Sequence, residues 1–435
     1  MAAINTTGIW TEVNYGQKAL FAAGNAEELK INKKDKNILK KLASKVQKIA
    51  LEKSNIEKKK LWYEHNELKL KRPLIFCDPE NGWNEIFSEN MLECTGVLAK
   101  RWELVLLKEI YYGEQIKDDK PIEMFFDLSY KYSESDWIEH RVIYGGKSGG
   151  TYKWEGQIKN LEDVSNIKYP QISVDYKTTL ENLNLANDIF EGLLIPRIKG
   201  QWWWSLGLTI DLVFLIGLEN MYVYFYDNPK LIHAVLEKLS EGWLEKIKFL
   251  EKNNLLSLNN DDSYVGSGGL GYTSELSLSG YPVRTKDIWG FAESQETGCI
   301  SPQMFEEFVF PYQDKMLNLF GLNCYGCCEP LDKRWYIVKR FKNLKRVSVS
   351  KWADYRKMVE YLEDKYIFSY KPSPTDLAVN SINEDYIRKN MKEFLNVTKG
   401  CVIELIMKDN HTLGNNPENL KKWVIIVREE IAKLY

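Results

Sequence analysis

Leu322-Asn323-Cys324-Tyr325-Gly326-Cys327-Cys328-Glu329-Pro330 is a short apolar run that opens into three thiols within five residues and a carboxylate. A strand-length segment ending in reactive side chains is the pattern of an α/β enzyme, whose chemistry collects at the carboxyl ends of strands. The concentration of thiols points to a soft metal ion or to thiol chemistry, with buried packing at a strand end as the plain alternative. Cys77, Cys94, Cys299 and Cys401 complete the seven cysteines and are too dispersed for a disulfide framework.

Outward from this stretch the same pattern repeats. Strands are expected at Leu193–Ile198, Ile288–Ala292, Arg346–Val349, Tyr366–Ser369 and Val402–Met407, each a short apolar run leading into polar residues. Between them lie helix signals. Asn228-Pro229 precedes a stripe of Leu231, Ile232, Val235, Leu236, Leu239, Trp243, Ile247 and Leu250, and Ser301-Pro302 opens a run through Phe305, Phe308 and Met316. This alternation predicts an α/β fold, and the number of units favours a closed (β/α)8 TIM barrel over residues 71–435. Residues 1–70 are expected to be a largely helical N-terminal extension, since Leu39, Leu42, Val46 and Ile49 recur at helical spacing in the Lys-rich stretch from Lys30 to Lys60.

Composition narrows the function. With 59 Lys plus Arg against 61 Asp plus Glu in 435 residues, the net charge of -2 offers no broad attraction for nucleic acid or an anionic membrane. The apolar run Leu206–Tyr226 is interrupted by Asp211, Glu219 and Asn220, which favours a buried core segment over a membrane span. The start, Met1-Ala2-Ala3-Ile4-Asn5, lacks a charged and then apolar leader, and the odd cysteine count suits a reducing compartment, so a cytoplasmic enzyme of small molecules is expected. A homodimer is compatible with these features.

A barrel would gather three strand ends: Glu293-Ser294-Gln295-Glu296, the segment from Cys324 to Glu329, and Lys408-Asp409-Asn410-His411. Thiolate, imidazole and carboxylate are ligands of a catalytic zinc, giving a candidate set of Cys327 or Cys328, His411 and one of Glu293 or Glu296. Glu293 and Glu296 could instead serve as a general acid and base, or form a solvated pair at a helix start. Trp202-Trp203-Trp204 follows a strand candidate carrying Arg197 and Lys199; three consecutive indoles cannot share one core, so at least one is expected at a cavity or interface. The glycine-rich segment Tyr264–Tyr272, preceded by Asp261 and Asp262, reads as an active-site loop that would place Tyr264 and Asp262 near substrate.

From Arg72 onward the chain resembles the uroporphyrinogen decarboxylase-like superfamily, a (β/α)8 barrel group that includes the corrinoid-dependent methyltransferases of anaerobes. The resemblance rests on Arg72-Pro73-Leu74-Ile75, on Glu296–Phe308 with Pro311-Tyr312, and on the strand into Cys327; the Ser-Pro-x-x-Phe-x-x-Phe-x-x-Pro-Tyr motif is its most specific part. In the methyltransferase branch zinc is held by a His-x-Cys motif and a later Cys. By that resemblance Cys327 matches the first Cys, Tyr325 stands at the His position and His411 falls near the later Cys. The changed set implies either zinc on Cys, His and Glu or loss of the metal.

The leading expectation is a zinc-dependent methyltransferase that moves a methyl group between a small methylated compound and cobalamin carried by a separate corrinoid protein. The Trp202–Trp204 wall suits O-demethylation of an aryl methyl ether. The alternatives are a metal-independent decarboxylase or lyase, with Arg197, Lys199 and Asp261 or Asp262 holding a carboxylated substrate, and a non-catalytic ligand-binding barrel.

Overall fold

The computed structural model describes residues 30–69, 72–138, 142–145, 152–277 and 281–435. Eight strands pair in parallel: β1 (Leu74–Cys77), β2 (Phe125–Leu128), β3 (Ile195–Ile198), β4 (Trp289–Ala292), β5 (Leu322–Tyr325), β6 (Leu344–Val349), β7 (Ile367–Tyr370) and β8 (Val402–Met407). β4 to β7 are consecutive neighbours in one sheet and β1 pairs with β8, whereas β2 pairs with β3. The α/β expectation with parallel strands therefore holds, but the pairings do not close a ring among the described residues. The described residues divide into two compact units, one within Tyr132–Ser173 and Gln201–Lys371, the other within residues 30–131, Val174–Gly200 and Pro372–Tyr435.

The first unit carries β4 to β7, neighbours in chain order. Each connection holds helix, which covers strands too apolar to face water: β4 and β5 are joined by the helices Pro302–Phe308 and Phe310–Leu317, and β6 and β7 by Tyr355–Leu362. The sequence signals act as expected at Ser301, whose hydroxyl accepts from Met304 N at 3.1 Å, with Pro302 at the first helical position. The helix Pro229–Lys252 buries the expected stripe. It also buries Lys246, whose ammonium meets Glu134 at 2.8 Å and donates to Trp202 O at 2.9 Å.

In the second unit β1 pairs with β8, Leu74 opposite Glu404 and Cys77 opposite Met407. The Lys-rich stretch forms two helices, Lys33–Ala50 and Lys53–Asn66, broken at Leu51-Glu52. Leu39, Leu42, Val46 and Ile49 are buried as expected. Buried Asp35 in the first helix accepts from Thr95 N at 3.1 Å and Gly96 N at 2.9 Å, which fixes the start of the helix Val97–Tyr111. Residues 33–66 are thus woven into the second unit.

The edge of β1 that faces away from β8 has a physical reason for not pairing onward. Asp119 Oδ2 accepts from Ile75 N and Asp118 Oδ2 from Cys77 N, both at 2.8 Å, and Asp119 N donates to Ile75 O at 2.8 Å. Two carboxylates stand where a neighbouring strand would supply its carbonyls. Burial pushes the Asp118 carboxyl up to about 6, while for Asp119 the opposing effect of burial is outweighed by Arg72 and Arg428, which hold it below the usual range. The contacts to Asp119 Oδ1 are 3.2 Å from Arg72 and 3.1 Å from Arg428.

Asp119→Asn is expected to cost about 2–3 kcal/mol in denaturant unfolding, the low side for a buried pair because both guanidiniums reach solvent. A depressed folded pKa contributes stability above the unfolded value and loses it as pH falls through the folded one. The deficit of the variant should therefore shrink in strong acid.

Candidate active site

Parallel register levels the carboxyl ends of β4 and β5, with Ala292 opposite Tyr325. The residues that follow, Glu293-Ser294 on one strand and Gly326-Cys327-Cys328-Glu329 on the next, meet as a cluster inside the first unit. Glu329 ties them together. Its Oε1 accepts from Ser294 N at 2.8 Å and its Oε2 from Cys327 N at 3.0 Å. Ser294 Oγ in turn receives Tyr325 Oη at 3.2 Å and Arg334 Nη1 at 3.3 Å.

Glu293 is fully buried. Its Oε2 accepts from Gln295 N at 2.9 Å and its Oε1 from Ser205 Oγ at 3.2 Å, while its carbonyl receives Gln313 Nε2 at 2.8 Å. Burial, followed by Glu296, Glu329 and Cys327, drives the Glu293 carboxyl well above the usual range. Glu296 is half-buried, accepts from Thr209 Oγ1 at 2.7 Å, and is raised by burial against the opposing pull of that hydrogen bond. The two glutamates of the sequence expectation therefore sit together, one beneath and one at the rim, in a setting that favours their protonated forms.

Cys327 is buried and Cys328 half-buried, with their sulfurs 3.7 Å apart and Ser267 Oγ donating to Cys327 Sγ at 3.2 Å. Cys324, the third thiol, points elsewhere: Arg346 Nη1 lies 3.6 Å from its sulfur, and Arg346 also donates to Leu270 O at 3.2 Å. The glycine-rich segment is a hairpin of Tyr264–Val265 against Gly269–Leu270. Its glycines allow close approach. A Cβ at Gly266, where φ is +69°, would stand 2.7 Å from Cys324 Cβ, and one at Gly269 would stand 2.3 Å from Arg346 Cζ. Ser267 thus reaches the thiol pair because glycine flanks it, a signal present in the sequence but assigned there to a loop.

The other expected site residues have local roles. Trp202 is buried and donates to Leu255 O at 2.9 Å; Trp203 and Trp204 are half-buried, packed edge-on against Phe320 and Phe291 at 6.0 and 5.3 Å. Arg197 and Lys199 both bind Asp127, at 2.5 and 3.3 Å, so the two cations share one carboxylate. Tyr264 and Asp262 lie at the start of the hairpin. His411 belongs to the second unit, is exposed, and has Asn81 Nδ2 at 3.1 Å from its Nδ1. Among the described residues no group of three or more His, Cys, Asp or Glu side chains is arranged to hold a metal ion. Cys327 and Cys328 offer two soft donors, and a third is not gathered with them.

Sequence reasoning missed Ser205, Thr209, Gln313 and Arg334, whose polar groups meet the cluster from distant parts of the chain. Gln313 was readable only as a polar residue on an apolar helix. It is fully buried and accepts from Tyr325 Oη at 2.7 Å. Tyr325, at the position where the resembled family has histidine, is buried among these groups, and burial, then Glu329, raises its phenol well above the usual value.

No family model matches the sequence, and no curated protein matches it. Among solved structures, a methyltransferase from Methanosarcina mazei is similar with a TM-score of 0.45 at 13% identity, over 75% of this chain and 86% of that one. No helix among the described residues is long and apolar enough to cross a membrane.

A carboxyl whose folded pKa is raised above its free value of 4.5 gives stability that is full below that value and lost as pH rises toward the folded one. Glu293→Gln keeps the shape and cannot ionise. Its stability relative to the parent should therefore increase as pH rises above 4.5, read from denaturation midpoints at each pH; a constant difference would overturn the raised titration of Glu293.

Proposed function

We propose that this cluster transfers a methyl group from the heteroatom of a small compound to the corrinoid of a separate partner protein. The observation that carries the reading is the buried glutamate Glu293, held beside Glu296 and the Cys327–Cys328 pair at the carboxyl ends of β4 and β5. Breaking a carbon–heteroatom bond leaves negative charge on the leaving atom, and a carboxyl whose burial favours its protonated form is suited to supply the proton. In the balanced step the methyl carbon leaves the heteroatom and bonds to the reduced corrinoid cobalt, while the heteroatom takes the proton of Glu293 or Glu296.

Ser205 and Gln295 orient the Glu293 carboxyl, and Gln313 fixes its backbone through the carbonyl. Glu296 and Cys328, both half-buried, form the solvent side of the cluster, where substrate would arrive. Trp203 and Trp204 keep part of their indole surface open and supply flat walls for an aryl methyl ether. Among the described residues Cys327 and Cys328 have no third donor gathered with them, so no step is placed on zinc, and proton transfer is proposed for Glu293 or Glu296.

The test is anaerobic methyl transfer to free cob(I)alamin from aryl methyl ethers, methylated thiols and methylated amines, followed by its absorbance. Transfer from one class, reduced about 100-fold or more in Glu293→Gln, is expected for loss of a general acid. Absence of transfer from all three classes would overturn the methyltransferase reading.

A further inference from the structure

The second unit carries its own cluster of polar groups, built at the level where β1 and β8 end. Cys77 and Met407 are in register, and Asp78 and Lys408 follow them. Asp78 N continues the ladder to Met407 O at 2.8 Å, and Asn410 Nδ2 donates to Asp78 O at 2.7 Å. Lys408 is buried, bound to Asp409 Oδ1 at 2.6 Å and near Glu80 Oε1 at 3.7 Å. The loop after β8 is held by Glu85, which accepts from Leu413 N at 3.0 Å and Asn415 N at 2.8 Å.

Two features of this arrangement go beyond packing. Glu80 and Asp409, one on each loop, both have left-handed backbones, with φ of +47° and +61°. Such conformations cost free energy in residues other than glycine and persist where surrounding structure enforces them. Beneath them Asp78 and Asn410 are each 1% exposed, and Asp78 Oδ2 and Asn410 Oδ1 have no hydrogen-bond partner. Two buried acceptors without a donor are unfavourable in a folded protein unless a donor is supplied from outside.

We infer that the loops after β1 and β8 form a binding site for a small primary ammonium group, whose N–H bonds satisfy Asp78 Oδ2 and Asn410 Oδ1. Charge supports a cation over a neutral donor. Three carboxylates, Asp78, Glu80 and Asp409, gather here, and the positive groups that act on Asp78 and Glu80 are Lys408, Lys108 and His411, none of which hydrogen-bonds to Asp78 Oδ2. In the protein alone, burial drives the Asp78 carboxyl well above its usual range, and Glu80 adds to the effect, as expected of a carboxylate lacking a cation at its second oxygen. The partly exposed Glu80 and Asp409 form the rim through which the ligand would enter.

Methylammonium chloride is the probe, compared at equal ionic strength with potassium, sodium and tetramethylammonium chlorides, the last a cation without N–H donors. Methylammonium should raise the thermal midpoint of the full chain by about 4 °C near saturation, relative to the other three salts. Asp78→Asn, nearly identical in shape, should abolish that difference. An equal response to all four salts, a response specific to potassium or sodium, or a methylammonium response that survives in Asp78→Asn would each overturn the inference. The wild-type comparison among salts decides the matter even if the variant folds poorly.

Discussion

Parallel pairing of β4 with β5 is the constraint on which the candidate site depends. Because Ala292 and Tyr325 are opposite one another, the backbone carries Glu293 and Cys327 to the same level without any side-chain interaction to bring them there. Glu329 then converts proximity into fixed geometry by accepting from the backbone of both loops. A one-residue slip would turn Tyr325 away from Gln313 and separate the glutamates from the thiols, since alternate residues of a strand face opposite sides.

The energetics of the cluster follow from that placement. Three glutamates crowd one buried region, and the guanidinium near them, Arg334, donates to Ser294, Thr297 and Ile300. Burial, with neighbouring like charge, favours the neutral carboxyl at Glu293 and Glu296. Cys327 adds to the same field, and its sulfur takes part in no disulfide.

Much of this was legible in the sequence. Leu322–Tyr325 and Val402–Met407 are strands with the bounds read from their apolar runs, and the Asn228-Pro229 and Ser301-Pro302 helix starts stand where the capping rules put them. Local pattern sufficed because each element is specified by its own residues. The interruption of pairing beside β1 was not legible: Asp118 and Asp119 lie more than forty positions from the strand whose N–H groups they bind, and two adjacent acids in a loop carry no mark of that use. The Lys-rich segment shows a smaller limit, since periodicity continues across Leu51-Glu52 while the backbone does not. His411 shows another: its residue type suggested a metal, but the unpartnered atoms at its strand end belong to Asp78 and Asn410.

The carboxylates along β1 also bear on how the chain keeps to itself. A strand edge with open N–H groups is a template on which a strand from another molecule can grow. Asp118 and Asp119 occupy the positions such an intruder would need, and they add charge to a segment, Leu74-Ile75-Phe76-Cys77, that is otherwise wholly apolar. The pair thus fills the hydrogen-bonding positions of this edge with side chains in place of a neighbouring strand.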